Sequence, residues 1–100
     1  MTTSELINKA LNILKRHDFY YMMDDYAYTN GAVERAKASM LYFVEVTNEI
    51  GGEIRETLRA LWIATYNYCA CFRPFWTSEK APSYKEEIDT LTAKVQSYIA

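Results

Sequence analysis

Apolar residues recur at spacings of three and four in four separate stretches of this chain, and in no stretch do they alternate with a period of two. A period near 3.6 gathers those side chains on one face of an α-helix, whereas period two would mark a strand. The chain therefore has to bury helical stripes against other helical stripes. Its 100 residues allow one domain with one core. Half of them are hydrophobic, and only three glycines and two prolines interrupt them. That is enough apolar surface for a small domain and too few turn residues for a β-sandwich. The expected architecture is all-α: one compact bundle of about four helices over residues 1–100, mostly antiparallel and with short connections.

The first helix is expected over residues 4–16. Thr2 with Glu5 matches a capping box, in which side chains satisfy the open amides of a helix start. Leu6, Ile7, Ala10, Leu11, Ile13 and Leu14 form its apolar face, and Lys15 and Arg16 suit the negative end of the helix dipole. An aromatic-rich segment follows over residues 17–31, ending in a helix-breaking Asn30-Gly31. The second helix is expected over residues 32–50, on the stripe Val33, Ala36, Met40, Phe43, Thr47 and Ile50, widened by Val44 and Val46. Gly51-Gly52 stops it, because glycine enters the left-handed region at little cost.

The third helix is expected over residues 53–72. Ile54, Leu58, Leu61, Trp62, Thr65, Tyr68, Cys69 and Phe72 make its stripe. Ala60, Ile63, Ala64, Ala70 and Cys71 occupy its other side, and a helix apolar nearly all round sits centrally. Arg73-Pro74 ends it, since the residue before proline avoids the helical region. After a linker reaching Pro82, the fourth helix is expected over residues 83–99. Ser83 with Glu86 forms a second capping box, and Tyr84, Ile88, Leu91, Val95 and Tyr98 give a narrow, coiled-coil-like seam.

Signals for catalysis are thin. The single histidine, His17, continues the apolar line of Ala10 and Leu14 at a helix C-terminus, where the dipole and local carbonyls hold it. Asp24-Asp25 lack the ligand spacing of a calcium loop. The Glu-x-x-His repeats of a diiron bundle are missing. Cys69 and Cys71 supply half a zinc site at most, and residues two apart on a helix diverge too far for a disulfide. Both read as structural thiols of a reducing compartment. No phosphate-binding loop or nucleophile elbow is present. The reading is therefore of a protein that is not an enzyme and has no cofactor.

The net charge of -2 is mixed along the chain, which argues against nucleic acid as a partner. The N-terminus lacks the basic and apolar regions of a secretory signal, and no apolar run approaches the roughly 20 residues of a membrane span. A cytoplasmic protein is expected.

Two surface features carry the functional reading. Arg55 and Arg59 lie one turn apart beside Trp62 and Tyr66, with Arg73 returning near the same line. Arginine with aromatics can hold a carboxylate, a phosphate or a stacked base, or it can pair with Asp24, Asp25 or Glu87 as ordinary surface. The second feature is apolar excess. Leu41, Tyr42 and Ile63 fall off the main stripes, Phe75 and Trp76 sit in the linker, and Tyr20, Tyr21, Tyr26 and Tyr28 crowd the aromatic segment. Such residues form either lids over the bundle ends or a partner surface.

The stretches 18–26 (DFYYMMDDY), 38–44 (ASMLYFV) and 58–66 (LRALWIATY) resemble those of small uncharacterised helical proteins of bacteriophages and of mobile elements in gut bacteria. The resemblance implies no catalytic residues. It implies a protein that acts by binding another protein of the phage or its host. The sequence thus points to a non-enzymatic protein–protein interaction module, with a second copy of the chain among the candidate partners. Its expected binding residues are Tyr26, Tyr28, Arg55, Arg59, Trp62, Tyr66, Phe75 and Trp76. The competing reading is a small-molecule-binding bundle whose pocket is lined by arginine and aromatics.

Overall fold

The computed structural model describes residues 1–15, 32–73 and 76–99. Over these it contains four helices: α1 (Thr3–Lys15), α2 (Ala32–Ile50), α3 (Gly52–Ala70) and α4 (Ala81–Ser97). A two-stranded antiparallel ladder, β1 (Phe72–Arg73) and β2 (Trp76–Thr77), joins α3 to α4. The aromatic-rich segment between α1 and α2 lies outside the described residues.

α1 follows its sequence pattern closely. The Thr2 hydroxyl accepts the Glu5 N–H at 3.2 Å and the Thr2 carbonyl accepts the Leu6 N–H at 3.1 Å. The threonine half of the predicted capping box is thus in place, satisfying donors that the first turn leaves open. All six residues of the predicted face, from Leu6 to Leu14, are buried.

α2 buries Ser39, Phe43, Val46 and Thr47, while Met40 and Ile50 are half-buried. Thr47 is fully buried, and its hydroxyl donates to the carbonyls of Phe43 at 2.9 Å and Val44 at 3.1 Å. Satisfied in this way, it presents its methyl group to the core without an orphan donor. Val44, expected to widen the buried face, is exposed instead. It lies about 100° around the helix from Phe43, on the side away from Val46, and α1 and α3 cover only the narrower stripe.

Gly51 alone separates α2 from α3. Its φ is 72°, that of Gly52 is 61°, and no atom lies within 4 Å of where a Cβ would stand on either. The turn therefore needs glycine for its left-handed backbone and not for space.

α3 packs against α4 most extensively, and also against α2, α1 and β1. It is the central helix that its nearly all-round apolar pattern suggests. It buries Thr57, Leu58, Leu61, Ala64, Thr65 and Cys69. Thr57 and Thr65 donate back to the carbonyls of Glu53 and Leu61, at 2.9 and 2.8 Å. The helix ends at Ala70, two residues before the expected boundary. Pro74 bars Arg73 from the helical region, and the freed backbone pairs instead: Phe72 faces Thr77, Arg73 faces Trp76, and the Ser78 N–H reaches the Cys71 carbonyl at 2.8 Å.

α4 begins two residues before the expected Ser83, and the Ser83–Glu86 capping box is not used. Ser78 organises the entry. Its hydroxyl accepts the Lys80 N–H at 3.2 Å and its carbonyl accepts the Ala81 N–H at 3.1 Å. Pro82 then falls in the first turn, where its missing N–H has no partner to lose. Of the predicted seam only Val95 is fully buried; Tyr84, Ile88, Leu91 and Tyr98 are half-buried. An ion pair of 3.4 Å from Lys94 to Glu53 places the end of α4 beside the start of α3, so the two run antiparallel.

Candidate functional site

Arg55, Arg59, Trp62, Ile63 and Tyr66 occupy roughly a third of the circumference of α3, on the flank of the buried Leu58–Leu61–Thr65 line. The helical repeat alone brings them together. Trp62 is half-buried and packs on the core, and the Tyr66 ring stacks against it with centroids 5.7 Å apart and planes 29° from parallel. Offset stacking of this kind favours one orientation of an otherwise exposed tyrosine. Arg59 reaches across to α2, where its Nη2 donates to Asn48 Oδ1 at 2.6 Å. A charged donor makes such a bond stronger than a neutral one. Among the described residues Arg59 therefore takes an amide oxygen as its partner. Arg55 is half-buried.

That bond ties together two exposed ridges. On α3, Arg59, Ile63 and Tyr66 stand at i, i+4 and i+7, and on α2, Leu41, Val44 and Asn48 stand at i, i+3 and i+7. Leu41 is 67% exposed and Ile63 54%. Tyr42, at the edge of α2 nearer α1, has the Lys9 ammonium 5.8 Å from its ring centroid. The off-stripe positions noted in the sequence, Leu41, Tyr42 and Ile63, are thus all exposed. Val44 joins them, and helical phase relative to Leu41 would have found it.

Of the remaining predicted binding residues, Tyr26, Tyr28 and Phe75 lie outside the described residues. Trp76 is placed only by its backbone, opposite Arg73.

Cys69 and Cys71 are both buried and both unoxidised. Burial, reinforced by the neighbouring Cys71, pushes the Cys69 thiol up to about 11. The Cys71 thiol donates to the Asn67 carbonyl at 3.3 Å. A thiol held protonated well above neutral pH is a poor nucleophile and metal ligand. Among the described residues no three His, Cys, Asp or Glu side chains cluster as a metal site, and no helix is long and apolar enough to cross a membrane.

Two cavities adjoin each other on a different side of the molecule. One, of about 170 Å³, lies where α1, α3 and α4 meet; the other, of about 340 Å³, lies between the end of α3 and the start of α4. Arg55, Arg59, Trp62 and Tyr66 line neither of them. No sequence motif marks these cavities, although the narrowness of the α4 seam is the feature that leaves room for them. Comparison of the chain with protein-family models, curated proteins and solved structures finds no match.

Proposed function

We propose that this chain is a non-enzymatic protein–protein interaction module that docks its partner on the paired ridges of α2 and α3. One observation supports this reading above others: Leu41 and Val44 on α2 and Ile63 and Tyr66 on α3 are exposed, with Tyr66 stacked on Trp62 and Arg59 bonded across to Asn48. Isolated exposed apolar residues are ordinary, but large ones arranged in adjoining ridges are the usual mark of a binding surface. Tyrosine, tryptophan and arginine are also the residues that dominate binding energy at such surfaces. Fully covering Leu41 and Ile63 would contribute roughly 1–2 kcal/mol each, since part of each is already buried. The Arg59–Asn48 bond would hold the two ridges in one geometry before binding, which lowers the entropy lost on association. A phage or mobile-element accessory protein would use such a surface on a host or phage protein, and a second copy of the chain would use it for a symmetric dimer.

Site-specific photo-crosslinking in the producing cell tests this. A photoreactive residue in place of Leu41 or Ile63 should form a discrete adduct, either with the chain itself or with one other protein. The same group in place of Glu86, which is exposed on α4, should not. Leu41→Lys combined with Ile63→Lys should abolish the adduct formed from Tyr66 and leave the helical circular dichroism unchanged. Equal labelling from all positions would sink the reading.

A further inference from the structure

We infer that the cavity at the junction of α1, α3 and α4 is a binding site for a small amphipathic carboxylate, such as a medium-chain fatty acid. The inner surface is apolar. Leu11 and Leu14 come from α1, Leu61 from α3 and Ile88 from α4. Thr65 also lines it, but its hydroxyl is committed to the Leu61 carbonyl at 2.8 Å, so it adds no polar demand.

Cationic groups flank this apolar surface. Lys15 ends α1 and Lys85 lies in the second turn of α4; both line the cavity, and both are exposed. Tyr68 and Lys85 also line the neighbouring cleft, so they stand at the boundary between the two spaces. Among the described residues no acidic side chain lines the junction cavity, whereas Glu79 lines the cleft. An anionic head is thereby favoured beside Lys15 or Lys85 and disfavoured in the cleft that Glu79 lines. Lys85 also pairs with Asp89 at 3.0 Å, but both partners are largely exposed. Such an exposed pair contributes little, so a ligand carboxylate can displace Asp89 from the ammonium.

Size narrows the ligand. A dry cavity of about 150 Å³ accepts a six-carbon ring. The 170 Å³ here therefore suits an alkyl chain of about six to eight carbons. Apolar walls with a few convergent polar groups at one end are the general design of small-molecule sites. The site differs from the expected arginine and aromatic pocket in both place and chemistry, and it is independent of the α2–α3 face.

Calorimetric titration of the full chain with sodium octanoate, below its micellar concentration, tests the inference. Octan-1-ol and octylamine serve as probes of the head group. Saturable one-site binding of octanoate is expected, with the alcohol weaker and the amine weaker still. Lys85→Met should weaken octanoate about threefold, as expected for loss of one exposed ion pair, and leave octan-1-ol unchanged. Thr92→Trp, which fills the cavity from α4, should remove binding of both. Should that variant fail to fold, Lys85→Met and the head-group series still decide. Octanol binding as tightly as octanoate, octanoate binding indifferent to Lys85→Met, or no saturable binding would each overturn the inference.

Discussion

α1 packs chiefly on α2 and α4 packs chiefly on α3, and the two are held differently. α1 has 13 residues and buries six apolar side chains completely. α4 has 17 and buries only Ala81 and Val95, the rest of its seam being half-covered. The width of the apolar stripe explains the difference. Positions 6, 7, 10, 11, 13 and 14 span a broad arc, so α1 enters the core between α2 and α3, whereas a spacing of four, three, four, three gives α4 a single line of contact. The broad stripe seals one half of the molecule. The narrow one leaves space beside α4, and the end of α1 reaches into that space with Leu11, Leu14 and Lys15.

The largest test of this contrast is a pair of truncations. Ile7 is fully buried, and Ile7→Ala should lower unfolding free energy by roughly 2–5 kcal/mol. Leu91→Ala on the half-covered seam should cost about half as much, because less apolar area leaves water on folding. Urea denaturation measures both, and equal losses would mean that α4 is as tightly held as α1.

A second test asks how well the α3–α4 half excludes water near the ladder. Cys69 ionises near 11 when folded and near 9 in an exposed reference state. The folded chain therefore keeps a proton that the unfolded chain loses. Stability should fall as pH rises from about 9 to about 11, by up to about 3 kcal/mol from this group. Cys69→Ala should flatten that part of the profile relative to the parent. Reaction of Cys69 with a disulfide reagent at pH 8 as fast as a model thiol would contradict its burial.

The smallest test compares the two helix starts. Thr2→Ala removes a hydroxyl that caps α1 and should cost about 1 kcal/mol. Ser83→Ala removes one that caps nothing in α4 and should change stability by less than about 0.5 kcal/mol. Thermal denaturation of the two variants distinguishes them, and a reversed order would restore the capping box at Ser83.

Much of the fold was legible in advance because helical phase is a local property. The six buried residues of α1, the bounds of α2, the glycine turn and the exposure of Leu41, Tyr42 and Ile63 all follow from spacing along the chain. The same phase grouped Arg55, Arg59, Trp62 and Tyr66 on one side of α3. What local signals misjudged were competitions. Ser83 and Glu86 carry a valid capping pattern, but Ser78 reaches the backbone first and starts the helix two residues earlier. Phe72 carries the right phase for α3, yet cross-strand pairing with Thr77 claims its backbone.

The sequence by itself determined where the four described helices lie, to within two residues at each end, and most of the face that each one hides, because those depend on neighbours three and four positions away. Only the tertiary structure decided what the faces meet. It set Arg59 on Asn48, eleven residues distant, and Lys94 on Glu53. It also brought Leu14, Leu61 and Ile88 around one cavity with Lys15 and Lys85. Such meetings depend on how three helices of unequal stripe width share one core. No single segment of the chain encodes that, because packing is a property of the space between segments.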